Sequence, residues 1–320
     1  MTWLVTGAAG FIGLNLLERL APRGERVIAV DQREIAADVA SRFAPGQLHS
    51  VKDDCRDPAL LSRLVADHGV TCVIHSAAIT PGLARERDDP FTVVSVNLAG
   101  TAAALQAAAS SGAARFVHAS SVAVFGPGVP DGAVIDEDRP HAPTTLYAIT
   151  KSSSEAIVQR FAQVSGLSCV IGRLCVVFGR HEVETGVRDT MSPFYHATAR
   201  ARAGEPMVLP RPARRNWQYA TDAADALIAL GAAKAPRHAV YNLGPSAVWT
   251  VADWCEMLAA RYPAFRYSIG DVPGGPVGLH NPSDGGLLSW QRFEAEFAAG
   301  ARTTPQEAFS DYIGWLDGRQ

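Results

Sequence analysis

The sequence predicts an α/β fold: a doubly wound parallel sheet followed by a smaller, less regular C-terminal part. Two observations lead there. Short apolar runs at residues 3–6, 26–30, 71–75, 115–119 and 168–172 alternate with longer helical patterns. Those runs also lack a polar alternate face, as strands covered by helices on both sides should. With 320 residues, 48% hydrophobic and 19% charged, the composition is that of an ordinary globular protein of one or two domains.

The first run leads directly into Gly7-Ala8-Ala9-Gly10-Phe11-Ile12-Gly13, which opens a helix reaching about Leu20. At such a junction Gly7 permits the tight turn, Gly10 lets backbone N–H groups approach a pyrophosphate, and Gly13 allows close helix–sheet packing. The second run ends at Asp31, 31 − 13 = 18 residues past the last of these glycines. A carboxylate there accepts hydrogen bonds from an adenosine ribose and repels a 2′-phosphate, which favours NAD over NADP; Arg33, able to receive that phosphate, is the counter-indication. The whole is a Rossmann-type pattern.

The fourth run continues into Ser120-Ser121-Val122-Ala123-Val124-Phe125-Gly126, at the strand edge where ligands of parallel sheets sit. The next helix opens at Tyr147, with Thr144 or Thr145 as its cap and Lys151 one turn on, on the same face. The chain has 26 arginines and only three lysines, Lys52, Lys151 and Lys234, so with seven tyrosines a Tyr-x-x-x-Lys is expected by chance only about 0.07 times. Lysine in so arginine-rich a chain suits a compact ammonium beside a titrating group. A free phenol is a poor base at neutral pH, but a nearby ammonium and an oxidised nicotinamide both favour the phenolate. Ser121 would then hold a substrate oxygen.

Beyond about residue 173 the regularity gives way to loops rich in Pro, Gly and Arg, such as residues 204–212 and 271–286. The expected division is a cofactor-binding domain over residues 1–172 and a substrate-binding part over residues 173–320. Within the latter, residues 216–243 read as strand, helix and strand returning to the main sheet. The chain closes on a helix with Thr304 as N-cap, Pro305 at its first position and Glu307 completing a capping box.

Other classes are disfavoured. A net charge of −3 with scattered arginines gives no basic stripe for nucleic acid. No uncharged apolar run is expected to reach membrane-spanning length, and strand-like residues from Trp3 leave no room for a signal peptide, so the cytoplasm is the expected location. Cys55, Cys72, Cys169, Cys175 and Cys255 contain no Cys-x-x-Cys, and nine histidines show no His-x-x-x-His, so no metal is expected.

On Gly7-x-x-Gly10-x-x-Gly13, Asp31, Asp54 in Asp-Cys-Arg-Asp, His75-Ser-Ala-Ala78, Asn97-Leu-Ala-Gly-Thr101, Ser120-Ser121 and Tyr147-x-x-x-Lys151, the chain resembles an extended short-chain dehydrogenase/reductase of the NAD-dependent epimerase/dehydratase family. The resemblance implies that Gly7, Gly10, Phe11, Ile12, Gly13, Asp31, Asp54, Ala77, Ala78, Asn97, Tyr147 and Lys151 serve the cofactor. Asp54 would contact the adenine amino group, Ala77 and Ala78 would be small where the chain passes the cofactor, and Asn97 would be mainly structural. It implies Ser121, Tyr147 and Lys151 as the catalytic set and a homodimer built on the Tyr147 helix and the small-residue helix at residues 97–111.

The second half departs from the pattern. Val176 stands where sugar-nucleotide members usually carry an asparagine, and Arg180 replaces a proline, whereas Arg215 is kept. A valine cannot replace an amide's hydrogen bonds. Phe125, Arg173, Arg180 and Arg215 are the expected substrate-side residues, joined by His181, Arg188 and Arg214 on neighbouring loops; arginines there suit a carboxylate or phosphate. The leading expectation is an NAD-dependent oxidoreductase acting on a secondary hydroxyl of a sugar, sugar acid or related polyol. A UDP-sugar 4-epimerase with tightly bound NAD is the alternative, and a non-catalytic NAD-binding sensor a distant third.

Overall fold

The apolar runs form the expected sheet. The computed structural model describes residues 1–244, 248–271, 279, 283–297 and 303–318. Seven parallel strands, β1 (Thr2–Thr6), β2 (Arg26–Asp31), β3 (Leu48–Lys52), β4 (Cys72–His75), β5 (Arg115–Ser121), β6 (Ser168–Leu174) and β7 (Val240–Leu243), lie in the order β7-β6-β5-β4-β1-β2-β3. The winding reverses between β1 and β4, where Thr6 is in register with His75. Such a switch point opens a crevice beyond the strand ends. The sequence reading did not identify β3: Leu48-His49-Ser50-Val51-Lys52 is a half-exposed edge strand without an apolar run.

The main helices are α1 (Phe11–Leu20), α2 (Pro58–His68), α3 (Gly100–Ser110), α4 (Leu146–Ser165), α5 (Pro193–Ala203), α6 (Ala220–Ala232), α7 (Val251–Arg261) and α8 (Pro305–Asp317). Leu16, Leu17 and Leu20 of α1 pack with Ala223, Ala224 and Leu227 of α6 on one face of the sheet. Leu61 and Val65 of α2, Ala104 and Ala108 of α3 and Val158 of α4 cover the other. Helix ends follow local chemistry: Asp57 caps α2 through Ala59 N and Leu60 N, Thr145 caps α4, and α8 carries the expected Thr304–Glu307 capping box.

One expectation is corrected. Residues 90–114 carry no charge, and Pro90–Ser110 is helical over 21 residues with a mean hydropathy of 1.3 in its most apolar stretch, so a run of membrane-spanning length exists. It is a core helix here. Half of that stretch is buried, Asn97 and Thr101 are hidden with hydrogen-bond partners, and the small side chains let α3 approach α2 and the sheet closely. The same packing covers most of the small-residue stripe expected to meet a partner helix: Ala103, Ala104, Ala107 and Ala108 are at most 6% exposed within the chain itself, while Ala102 is exposed and Ala109 half-buried.

Residues 216–243 return to the sheet through α6 and β7, but their first strand, Trp217–Tyr219, pairs instead with Val176–Phe178 beside it. A second, aromatic core forms there around Phe178 and Phe194, stacked at 3.9 Å, with Trp217 and Trp254. Of the loop at residues 271–286, residues 272–278 and 280–282 lie outside the described residues.

Candidate active site

A cleft of about 730 Å³ runs from the glycine-rich turn across the strand ends to the C-terminal part. At its first end Gly7 has φ +71°, and a Cβ there would stand 2.6 Å from Ala77 Cα. A Cβ on Gly13 would stand 2.1 Å from Gly7 O, inside the turn itself. The N-cap of α1 is Gly10, which has no side chain to cap it, so among the described residues its first N–H groups stay open to an anion. Phe11, Ile12, Ala77 and Ala78 line this end.

Asp31, the last residue of β2, accepts from Ala9 N at 3.0 Å and Arg33 N at 2.9 Å, so one carboxylate fixes the turn and faces the cleft. The Arg33 guanidinium donates to Ala9 O at 2.5 Å. Asp54 also lines the cleft, bonded to Gln32 and Arg56; the hydrogen bond from Arg56 holds its carboxyl below the ordinary value. Asn97 does not line the cleft. It binds Ile79 N at 2.8 Å, Ile79 O at 3.0 Å and Thr150 Oγ1 at 3.0 Å, tying the chain beyond β4 to α4.

Ser121, Tyr147 and Lys151 meet where the cleft crosses β5. Ser121 and Thr80 stand beside Tyr147, and Lys151, 4% exposed, donates from Nζ to Ala119 O at 2.8 Å with its ammonium 5.9 Å from the Tyr147 ring. Burial pushes Lys151 down to about 8, against the pull of Glu155. The sequence reading had the ammonium and an oxidised nicotinamide together drawing the phenol's pKa down. From the protein's own groups the phenol stands above its ordinary value, because burial outweighs the opposing influence of Ser121, Arg188 and Thr80. A phenol beside a serine hydroxyl and an ammonium is suited to exchanging a proton with an alcohol oxygen.

The arginines divide. Arg215 and Arg188 line the cleft, as does Phe125. Arg173 and Arg180 do not, which corrects their expected substrate role. Arg173, 3% exposed, is consumed by Glu155, by Glu137 O and by His141. Arg180 is consumed by Asp311 and Glu18, and its neighbour His181 is buried against Glu18. Arg214 is exposed. The sequence reading missed Thr80, Arg211 and Asp284, all lining the cleft. Nothing in their local pattern marks them, since they converge only through the tertiary fold; Arg211 meets Asp284 at 2.6 Å.

Residues 3–244 match the model of the NAD-dependent epimerase/dehydratase family. The chain belongs to that family. It is an NAD-dependent enzyme of the extended short-chain dehydrogenase/reductase type, and the glycine turn that a Cβ would fill fits that cofactor. A UDP-glucose 4-epimerase of Mycolicibacterium smegmatis is 30% identical to this family member over 234 residues, 72% of this chain and 73% of that one. A dTDP-glucose 4,6-dehydratase of Xanthomonas campestris is 29% identical over 257 residues, 76% of this chain and 71% of that one. Among solved structures, a UDP-glucose 4-epimerase from Thermotoga maritima has the same fold with a TM-score of 0.82 at 21% identity, covering 100% of this chain and 99% of that one. A UDP-glucuronic acid 4-epimerase from Bacillus cereus, in complex with UDP-glucuronic acid and NAD, matches with a TM-score of 0.82 at 22% identity over 100% of both chains.

Proposed function

We propose that this enzyme acts at a secondary hydroxyl of a sugar, sugar acid or related polyol, with Tyr147 as general base, Lys151 as its electrostatic partner and Ser121 as the anchor of the reacting oxygen. When bound, NAD would supply the hydride acceptor for the carbon bearing that hydroxyl. Gly7, Gly10 and Gly13 would hold its pyrophosphate and Asp31 its adenosine ribose. Tyr147 takes the hydroxyl proton, Lys151 stabilises the phenolate, and Ser121 fixes the oxygen's position.

The observation that carries this reading over a dehydratase is the chemistry of the cleft lining. An elimination needs a carboxyl group near the serine, and the residues following Ser121 are Val122 and Ala123. Among the described lining residues the carboxylates are Asp31, Asp53, Asp54 and Asp284. The first three stand at the end of the glycine turn, and Asp284 is paired with Arg211. Tyr147→Phe is expected to lower kcat by ~10²-fold or more while NAD still binds. Full activity in that variant would refute the mechanism. An NADH-formation screen over free sugars, aldonates, uronates and sugar nucleotides, read with the NAD content of the purified protein, identifies the substrate class.

A 4-epimerase acting on a sugar nucleotide is the second reading. It is supported by the M. smegmatis relative and by Arg215, whose buried Nε lacks a hydrogen-bond partner among the described residues in the same cleft. Copurifying NAD without net NADH formation would select it. We further propose a homodimer through the exposed apolar side chains of Phe91 (80% exposed), Val94 and Ile149, beside the buried small-residue stripe. Light scattering that finds a monomer would sink it.

A further inference from the structure

The end of β5 is stitched to α4 by three consecutive residues. Ala119 O accepts from Lys151 Nζ at 2.8 Å, Ser120 Oγ donates to Glu155 Oε1 at 2.5 Å, and Ser121 stands beside Tyr147. Tyr147, Lys151 and Glu155 follow one another at four-residue intervals on one helix face. We propose that Glu155, backed by Arg173, is a positioning residue for the reacting centre: its fixed negative charge keeps Lys151 an ammonium, and its bond to Ser120 sets Ser121 against Tyr147. This rests on the roles proposed above for Tyr147 and Lys151.

A carboxylate with a 1% exposed side chain needs an ion pair and hydrogen bonds to offset its burial. Glu155 meets that condition. Besides Ser120, its oxygens take Arg173 Nη2 at 2.7 Å and Arg173 Nε at 3.0 Å. Arg173 also donates to Glu137 O at 2.9 Å and to His141 Nε2 at 2.8 Å. A guanidinium only donates, so His141 Nε2 carries the lone pair and Nδ1–H points to Ser152 Oγ, at 2.8 Å. His141 is therefore neutral in this arrangement, in keeping with its pKa, which burial lowers.

Lys151 is the nearby cation whose hydrogen bond goes to an uncharged carbonyl. The titratable groups around it are Tyr147 and Glu155 on its own helix, His75 on β4 and His118 on β5, with Arg173 and His141 behind Glu155. Burial keeps both His75 and His118 neutral, and the field of Lys151 adds to that. Glu155 alone among these groups supplies negative charge, and it opposes the burial that draws Lys151 down to about 8. Removing it lets the ammonium discharge at lower pH.

The test uses the full chain and its scarcity of lysine. Lys52 and Lys234 are exposed, so isotope-labelled lysine side chains give Lys151 a distinct NMR titration. In Glu155→Gln that titration is expected about one pH unit below the parent's, with the alkaline limb of kcat/KM moving alongside it, whereas Glu155→Asp stays near the parent. If Glu155→Gln does not fold because Arg173 is left unpaired, the double variant E155Q/R173M removes both charges and takes its place. A folded variant whose Lys151 titrates with the parent overturns the proposal. The NMR readout needs no turnover, so this result is distinguishable from failure of the Tyr147→Phe test.

Discussion

Asp31 illustrates how one side chain serves two levels of the structure. Its carboxylate accepts from Ala9 N and Arg33 N, which fixes the glycine-rich turn, and it also faces the cleft. Arg33, the residue that argues for NADP in the sequence, is tied to Ala9 O and lies 3.6 Å from Asp31. Asp31→Ala is expected to weaken NAD binding by about 10- to 100-fold, the worth of hydrogen bonds to a charged group, measured by calorimetry. Unchanged affinity would remove Asp31 from the cofactor site. At this scale the sequence was legible where residue type and spacing jointly demand a geometry, as with Gly7, Gly13 and the Tyr147–Lys151 pair. It misled where type alone was used. An arginine facing a cleft and one serving a buried acid look alike in sequence, so Arg173 was placed on the substrate side although its partner Glu155 stands one turn beyond Lys151.

Elements were legible when their own residues decide them and obscure when a neighbour does. Apolar runs gave the buried strands, and Thr304 with Glu307 gave α8, because capping is local. The edge strand β3 lacks such a run, and the alanine stripe of α3 shows closeness without showing that α2, rather than another subunit, is what approaches. Helix α6 has the same property at Gly231. A Cβ there would stand 2.4 Å from Trp3 Cζ3 and 2.9 Å from Cys72 Sγ, so this glycine lets α6 lie on β1 and β4. Gly231→Ala gains about 1 kcal/mol of helix propensity but overpacks the interface by about 1–3 kcal/mol. The net expectation is a lower Tm by a few degrees. A variant as stable as the parent would mean that the Trp3 ring moves aside at a cost no larger than the about 1 kcal/mol gained in propensity.

On the scale of the molecule, the two halves that share the cleft are joined at Arg180. Asn15 on α1 donates to Arg180 O at 2.9 Å, the Arg180 guanidinium reaches Glu18 on α1 and Asp311 on α8, and Tyr219 OH donates to the same Asp311 at 2.5 Å. The loop arginine that composition assigned to substrate is thus a tie between the first helix and the last, a role no local pattern encodes. Glu18 is the buried acid of that junction, its side chain 4% exposed, with Arg42 at 3.1 Å and His181 at 3.2 Å. Burial raises its pKa, but the neighbouring His181, Arg42 and Arg180 outweigh that and hold it below the ordinary 4.5. The unfolded chain therefore takes up this proton first as pH falls. Stability contributed by Glu18 is complete above pH 4.5 and is lost as pH drops through the lower folded value. Glu18→Gln, which leaves its cationic partners uncompensated, is expected to cost about 3 kcal/mol at neutral pH. Urea midpoints of parent and variant should converge as the pH is lowered below 4.5. A gap that keeps its neutral-pH size in that acid range would show that Glu18 holds the two halves together by packing rather than by charge.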